Sequence, residues 1–201
     1  MLIYLVRHGE TDYNKTGKLQ GWSDIPLNEY GVELAEKTAE GLKEIEFDLV
    51  FSSPFQRSYA TTEKIIKNRN LSIQTDDRLK EINLGPNEGD LYEEVRMNEN
   101  HPLHNFFRKP EDYSPVEGAE SIEDVKKRAF DFLNDKIFPL EKKFKSILIV
   151  AHGALNRCIL NTILDIHDKN FWKINLPNCA VSILSLENRK LKVLERSKIY
   201  Y

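Results

Sequence analysis

The stretch Leu2-Ile3-Tyr4-Leu5-Val6-Arg7-His8-Gly9 joins a continuous apolar run to a basic residue, a histidine and a glycine. The run from Leu2 to Val6 does not alternate between polar and apolar residues, which is typical of a parallel strand covered on both faces. A second run, Ser146 to Ala151, repeats this pattern and is followed by His152-Gly153. Because parallel strands of an α/β sheet place their carboxyl ends at one edge, we expect both histidines to lie in one crevice.

The chain between these two runs alternates strand and helix patterns. A third strand is predicted for Asp48 to Phe51, closed by the turn-forming Ser52-Ser53-Pro54, and Arg57 follows it. Apolar residues recur at helical spacing in two sets, which are Leu34, Ala35, Thr38, Leu42, Ile45 and Ile122, Val125, Ala129, Leu133, Ile137. Ser121 with Asp124 resembles a capping box at the start of the second helix. Strands that alternate with helices predict a layered α/β fold.

Residues from about 84 to 118 break this rhythm. The segment holds four of the eight prolines, two of the histidines and the aromatic residues Phe106, Phe107 and Tyr113. We interpret it as an insertion over the carboxyl edge of the sheet, with a short helix near Leu91 to Asn98, that acts as a lid or a substrate-selecting wall. Beyond it, Ala180 to Leu186 and Leu191 to Leu194 predict two strands joined by a short turn. We expect one domain that spans residues 1–201.

The overall charge excludes some classes of partner. The 201 residues carry a formal net charge of -3, with a sequence pI near 6.0. No global field would draw such a protein to nucleic acid or to an anionic membrane, so an anionic substrate must be held by local charge. We therefore expect neither of these partners, and the sequence leaves a homodimer open.

The cysteines and the apolar runs bear on the compartment. Cys158, in a predicted helix, and Cys179, in a predicted late strand, have no CxxC neighbour, so we expect buried free thiols. The first residues do not have the pattern of a signal peptide, and no apolar run approaches the ~20 residues of a membrane helix. These features predict a cytoplasmic protein.

A set of five residues carries the candidate chemistry. Phosphoryl transfer without a metal requires fixed cationic donors, a nucleophile in line and an acid for the leaving oxygen. The candidates are Arg7, Arg57, His8, His152 and Glu81. Arginine suits this task because its planar fork binds phosphate oxygens bidentately and keeps its charge. A metal site formed by the two histidines and a carboxylate is an alternative, but no HxxxH, HxH or CxxC spacing favours it.

These motifs resemble a known family. Leu5-Val6-Arg7-His8-Gly9-Glu10-Thr11, with Asn14, is similar to the signature of the histidine phosphatase, or phosphoglycerate mutase-like, superfamily. Further blocks follow in the family's order at residues 19–27, 52–62, 79–85, 117–121 and 150–153. The resemblance implies a three-layer α/β/α sandwich with a mostly parallel central sheet, phosphoglycerate mutase-like, and a short insertion over the site.

The resemblance also implies roles for individual residues. His8 attacks phosphorus to give a phosphohistidine, and Glu81 protonates the leaving oxygen. The phosphoryl oxygens are held by Arg7, Arg57 and His152, with Asn14 and the Gln20-Gly21 backbone as helpers. No metal or other cofactor is implied. Glu81 must hold a proton to act as an acid, which requires burial or nearby negative charge such as a bound phosphate, so an acidic optimum or a broad bell is predicted.

Three functions remain open at this point. A phosphatase passes the phosphoryl group to water, a mutase passes it to a second substrate oxygen, and a silent phosphate-binding protein would lack at least one core residue. None is missing. Mutases of the family usually carry extra basic residues in the insertion, whose only cations here are Arg96, Arg108 and Lys109. A hydrolase of a small phosphorylated metabolite is therefore favoured, resembling α-ribazole phosphatases and broad-specificity phosphatases.

Several other residues keep a structural interpretation. His101, His104 and His167 are expected to be structural, although the first two could touch substrate, and Trp22 and the Phe106-Phe107 pair could be packing aromatics. One stretch departs from the family. Gly85-Pro86-Asn87-Glu88-Gly89 lacks the tryptophan that often precedes the glutamate, which leaves the local shape of the site and the substrate choice open.

Overall fold

The computed structural model describes residues 1–201. The strands are β1 (Leu2–Arg7), β2 (Leu49–Ser52), β3 (Ile73–Thr75), β4 (Ser146–Ala151), β5 (Val181–Glu187) and β6 (Lys190–Lys198). The α-helices are α1 (Asp12–Lys15), α2 (Glu29–Gly41), α3 (Gln56–Ile66), α4 (Tyr92–Met97), α5 (His104–Arg108), α6 (Ile122–Phe132) and α7 (Gly153–Ile163). Short 3₁₀ helices cover Asp77–Leu79, Gly85–Asn87, Pro110–Asp112, Phe138–Leu140 and Asp168–Lys173, and a π-helix covers Leu133–Ile137.

The strands form one mixed sheet in the order β3-β2-β4-β1-β5-β6. β4 is parallel to both of its neighbours, β1 and β2, and β2 is also parallel to β3. β5 is antiparallel to its neighbours β1 and β6. The register of the central pair runs from Leu2 opposite Ser146 to Arg7 opposite Ala151. His8 and His152 therefore leave adjacent strands at the same edge, as the sequence predicts.

Helices cover both faces of the central strands, which explains their unbroken apolar runs. Ile3 and Leu5 pack on one face with residues of α6 and α7, and Tyr4 and Val6 pack on the other face with residues of α3. All four side chains are buried. Burial of such a side chain contributes about 1.5–3 kcal/mol, so a polar residue in β1 would cost much of the domain's stability. The three-layer α/β/α prediction is confirmed.

The two predicted helices start as expected, and one ends earlier. Ser121 and Asp124 form the predicted capping box of α6. α2 ends at Gly41, so the prediction that the helix reaches Ile45 is wrong. Arg69 explains the early end, because its guanidinium donates to the carbonyls of Leu42 and Ile45 and so satisfies the turn that follows the helix.

The remaining elements agree in part with the sequence. The short helix predicted near Leu91 to Asn98 is present as α4. The β5–β6 turn is Asn188-Arg189, and both residues have positive φ, 50° and 59°, as a two-residue type I′ hairpin requires. Cys158 and Cys179 are buried and free. Cys179 lies in the turn before β5 rather than in a strand, because its φ of 57° is in the left-handed region, which an extended strand does not allow. No helix has the length and the apolar character needed to cross a membrane.

Candidate active site

His8 follows β1 and is only 3% exposed. Its Nδ1 lies 2.7 Å from the carbonyl oxygen of Gly9, so the ring carries its proton on Nδ1 and keeps a free lone pair on Nε2. The Gly9 N–H in turn donates to the hydroxyl of Thr61 at 2.9 Å. Burial, followed by the charges of Arg57 and Arg7, lowers the pKa of His8 well below its usual value. His8 is therefore a neutral imidazole with one nitrogen available for attack.

His152 follows β4 and is fully buried. Its Nε2 lies 2.8 Å from the Ser53 hydroxyl and 3.3 Å from the Ser58 hydroxyl. Its ring centroid is 5.1 Å from that of His8. Burial, then the charge of Arg57, lowers the pKa of His152 well below its usual value. With Nε2 as the acceptor for Ser53, the neutral ring holds its proton on Nδ1, which makes Nδ1 a donor.

Arg57 lies in the first turn of α3 and is fully buried. Its Nη1 donates to the Ser23 carbonyl at 2.9 Å and its Nη2 to the Gly21 carbonyl at 2.7 Å. Burial lowers the pKa of Arg57 to about 10, so it stays charged at neutral pH. The Gly21 backbone, expected to help hold phosphate, thus holds the guanidinium through its carbonyl.

Four buried donors around His8 have no partner within the protein. They are Arg7 Nε, Arg57 Nε, Gln20 Nε2 and His152 Nδ1. The Gln20 amide is fixed by its other end, since its Oε1 accepts from the Thr11 hydroxyl at 2.7 Å. A buried donor without a partner lowers the free energy of unfolding by about 1–3 kcal/mol. Four such donors close together therefore indicate a binding site for a ligand that accepts hydrogen bonds. All four come from residues that the sequence assigned to phosphate binding.

Glu81 is 7% exposed and caps the start of α7. Its Oε1 accepts from the backbone N–H of Ile82 at 2.9 Å and of Leu155 at 3.1 Å, and its Oε2 accepts from that of Ala154 at 3.0 Å. The Glu81 backbone carbonyl accepts from the Trp22 indole at 2.9 Å. The carboxylate is thus fixed just beyond His152, at the positive end of a helix.

Asn14 lines the same cavity, and its orientation is fixed by a residue that the sequence analysis missed. Its Oδ1 accepts from the side-chain amide of Asn178 at 3.2 Å, which turns its own NH₂ group away as a free donor. Asn178 also donates to the carbonyls of His8 and Gly9, each at 3.1 Å. Asn178 follows no strand and belongs to no motif, so no local signal marked it.

The cavity has a volume of about 410 Å³. Its apolar wall is formed by Leu19, Ile82, Leu84, Tyr92, Phe106, Phe107 and Trp172. Phe106 and Phe107 thus belong to the cavity as well as to the packing of the 84–118 segment. Lys18 and Arg157 add cationic groups, and the sequence analysis named neither.

Other candidates lie elsewhere. His101 pairs with Asp90, His104 faces the carbonyl of Val95, and His167 lines a separate groove. The cations of the 84–118 segment, Arg96, Arg108 and Lys109, line another groove outside the catalytic cavity. No group of three or more His, Cys, Asp or Glu side chains is arranged to hold one metal ion.

Comparison with known proteins identifies the family of this chain. Residues 3–198 match the family model described as histidine phosphatase superfamily, branch 1. Phosphoserine phosphatase 1 of Hydrogenobacter thermophilus is 32% identical over 197 residues, which cover 96% of this chain and 90% of that protein. A probable phosphoglycerate mutase of Proteus mirabilis is 30% identical over 190 residues, 92% of this chain and 85% of that one. The solved structure of an Entamoeba histolytica phosphoserine phosphatase mutant with phosphoserine superposes with a TM-score of 0.85 at 26% identity, covering 98% and 96%.

Proposed function

The chain belongs to the histidine phosphatase superfamily, branch 1, as a phosphoric monoester hydrolase, and we propose that it cleaves a small phosphorylated metabolite through a phosphohistidine on His8. The observation that carries this proposal is the set of four buried donors without partners beside the free Nε2 of His8. Two of them belong to guanidinium groups, which suit a dianion.

The proposed reaction begins with in-line attack. His8 Nε2 forms a bond to phosphorus while the bond between phosphorus and the ester oxygen breaks. Arg7, Arg57 and His152 hold the charge on the phosphoryl oxygens, and Gln20 and Asn14 supply further N–H donors. Glu81 gives its proton to the departing oxygen, so the product leaves as a neutral alcohol.

The second step returns the enzyme to its first state. The Glu81 carboxylate accepts a proton from a water molecule as the water oxygen bonds to phosphorus. The bond between phosphorus and His8 Nε2 breaks, and inorganic phosphate leaves. One side chain therefore serves as acid and then as base, and the proton balance closes without a cofactor.

The cavity wall favours hydrolysis over phosphoryl transfer between two substrate positions. Mutases of this family usually carry extra basic residues in the insertion, which hold a carboxylate and a second phosphate. Arg96, Arg108 and Lys109 face a different groove, so the 84–118 segment offers only Tyr92, Phe106, Phe107 and other uncharged groups to the cavity. We propose a cytoplasmic site of action, supported by the two buried free thiols.

A hydrolysis assay tests the proposal. A panel of phosphomonoesters is assayed in the presence of a chelator with wild type, His8→Ala and the matched control His101→Ala, whose ring lies outside the cavity. We expect His8→Ala to abolish turnover and His101→Ala to keep it. Acid quench should trap an acid-labile, base-stable phosphoenzyme in wild type only. Activity in His8→Ala would refute the nucleophile, and faster turnover of 3-phosphoglycerate with its bisphosphate primer than of any ester would indicate a mutase.

A further inference from the structure

We propose that Arg157 binds a carboxylate of the substrate, so that the enzyme prefers phosphorylated small carboxylic acids over phosphate esters that lack a second anionic group. This inference rests on the proposed hydrolase function and names its substrate class. Arg157 lies on α7, one turn after His152, and lines the catalytic cavity.

The guanidinium of Arg157 is held rigidly with one edge unused. Nε donates to the Ile174 carbonyl at 3.0 Å and Nη1 to the Gly153 carbonyl at 3.0 Å. The group also lies over the Trp172 ring, 4.9 Å from its centroid. Nη2 makes no hydrogen bond within the protein. A guanidinium fixed on two sides loses little conformational entropy when its third nitrogen binds an anion. Arg157 is therefore better suited to select a substrate than a flexible surface cation would be.

The unpaired guanidinium of Arg157 is suited to a second anionic group on the substrate. Arg7, Arg57 and Arg157 make no salt bridge with any carboxylate, whereas Arg78, Arg96 and Arg128 each pair with an acidic side chain. A phosphate dianion matches Arg7 and Arg57. The Glu81 carboxylate is bound to the backbone N–H groups of Ile82, Ala154 and Leu155, so Nη2 of Arg157 has no carboxylate partner within the protein. Burial and the nearby Arg7 lower the pKa of Arg157 to about 10, so its charge is present at neutral pH and unfavourable without a partner.

The position of Arg157 suits a short substrate. Gly153 lies between the phosphate donors and Arg157: a Cβ placed on Gly153 would be 3.6 Å from Arg7 Nε and 3.2 Å from Arg157 Nη1. Arg7 Nε and Arg157 Nη1 are therefore within ~7 Å of each other. A phosphorylated molecule of about three carbons can reach both guanidinium groups. Phe106, Phe107 and Trp172 form the wall beside Arg157, which lowers the local dielectric and strengthens an ion pair there. Lys18, the other cation of the cavity, is exposed at its rim.

Two substrate pairs that differ only in the carboxylate test the inference. The first pair is O-phospho-L-serine and O-phosphoethanolamine, and the second is 3-phosphoglycerate and glycerol 3-phosphate. We expect wild type to favour the carboxylate member of each pair by at least about tenfold in kcat/KM. Arg157→Met should lower kcat/KM for that member by about 10- to 100-fold, as expected for a lost charged hydrogen bond, and for its partner by less than about threefold. Arg157→Lys should be intermediate, because it keeps the charge without the fork.

The control variant is Arg96→Met, which removes an arginine outside the cavity and should leave both members of each pair unchanged. Equal loss on both members in Arg157→Met, or no preference in wild type, would overturn the inference. If Arg157→Met does not fold, as judged by thermal unfolding, the wild-type comparison and Arg157→Lys decide. The absence of hydrolysis of every ester, p-nitrophenyl phosphate included, would refute the hydrolase itself, so the two failures are distinguishable.

Discussion

At the scale of single residues, the site consists of side chains whose protonation and orientation are fixed by neighbours. His8 is oriented by its own backbone through Gly9, and His152 by Ser53 and Ser58. Asn178 orients Asn14. Each of these bonds leaves one nitrogen of the ring or amide without a partner in the protein. Catalytic geometry therefore depends on residues that never touch the substrate.

The pH dependence of kcat/KM follows from the lowered pKa of His8. The attacking form is the neutral ring, and a lowered pKa keeps the ring neutral further into the acid range. We expect the acid limb of kcat/KM, which reports the free enzyme, to lie below the usual histidine value of about 6.5. Steady-state assays between about pH 4 and 9 with p-nitrophenyl phosphate measure it. An acid limb at or above the usual histidine value would contradict the electrostatic description of the site, and a flat profile would count against an essential acid.

Ser53→Ala should weaken catalysis more than Ser58→Ala. Ser53 lies 2.8 Å from His152 Nε2 and Ser58 lies 3.3 Å away, so the first bond does more to fix the tautomer. Loss of about 1 kcal/mol corresponds to roughly a fivefold fall in kcat/KM for Ser53→Ala. The two variants serve as matched controls for each other, because both remove a buried hydroxyl. Equal losses of kcat/KM in the two variants would contradict a dominant role for Ser53.

At the scale of elements, the loop 20–24 connects Arg57 to Glu88. Arg57 donates to the Gly21 and Ser23 carbonyls, while the Glu88 carboxylate accepts from the backbone N–H groups of Trp22 and Ser23. The family's missing tryptophan is replaced by the buried Asn87, and Glu88 still reaches the loop. The departure in this stretch therefore leaves the contacts of the 20–24 loop with Arg57 and Glu88 intact.

Glu88→Gln should loosen this loop. The substituted amide would keep one acceptor oxygen for the N–H groups of Trp22 and Ser23 but would lose the negative charge. The loop carbonyls that hold the Arg57 guanidinium would then be less firmly placed. We expect kcat/KM to fall about tenfold and the inhibition constant of inorganic phosphate to rise in parallel. Glu93→Gln, an exposed carboxylate on α4, is the matched control and should change neither. A lower melting temperature with unchanged phosphate inhibition would mean that Glu88 serves stability alone.

At the scale of the whole molecule, the sequence predicted what local patterns encode. The runs of β1 and β4 predicted two adjacent strands with a histidine at each end, because burial on both faces leaves an unbroken apolar signature. β3 was missed, since only Ile73 of its three residues is even partly buried. Contacts between distant residues were also missed: His152 and Ser53 are 99 positions apart, and no periodicity relates them. Arg157 was also missed, because it lies on a helix with no motif of its own and only the three-dimensional fold places it at the cavity.

Stability should respond to phosphate and to pH together. The pKa values of both His8 and His152 are lowered in the folded state, so the unfolded chain binds more protons below about pH 6.5 and stability falls as the pH drops through that range. We expect the melting temperature to rise from pH 5 to 7 and to rise further with inorganic phosphate, which at a hundredfold excess over Kd adds about 2.7 kcal/mol to the free energy of unfolding. Thermal unfolding in chloride of equal ionic strength is the control. Arg57→Met should lose the phosphate effect, and a phosphate effect that survives this change would place the anion elsewhere.

The position of β1 between β4 and β5 also governs how the protein is made. β1 is synthesised early, yet its two neighbours in the sheet begin at Ser146 and Val181. During translation, β1 stays unpaired at both edges, and its apolar residues stay exposed. Its partner strands leave the ribosome more than a hundred residues later. Long-range strand pairs of this kind form slowly, and until they form the unpaired edges of β1 can hydrogen-bond to other chains. β1, which precedes His8, is therefore the strand of the central sheet that stays unpaired longest in the nascent chain.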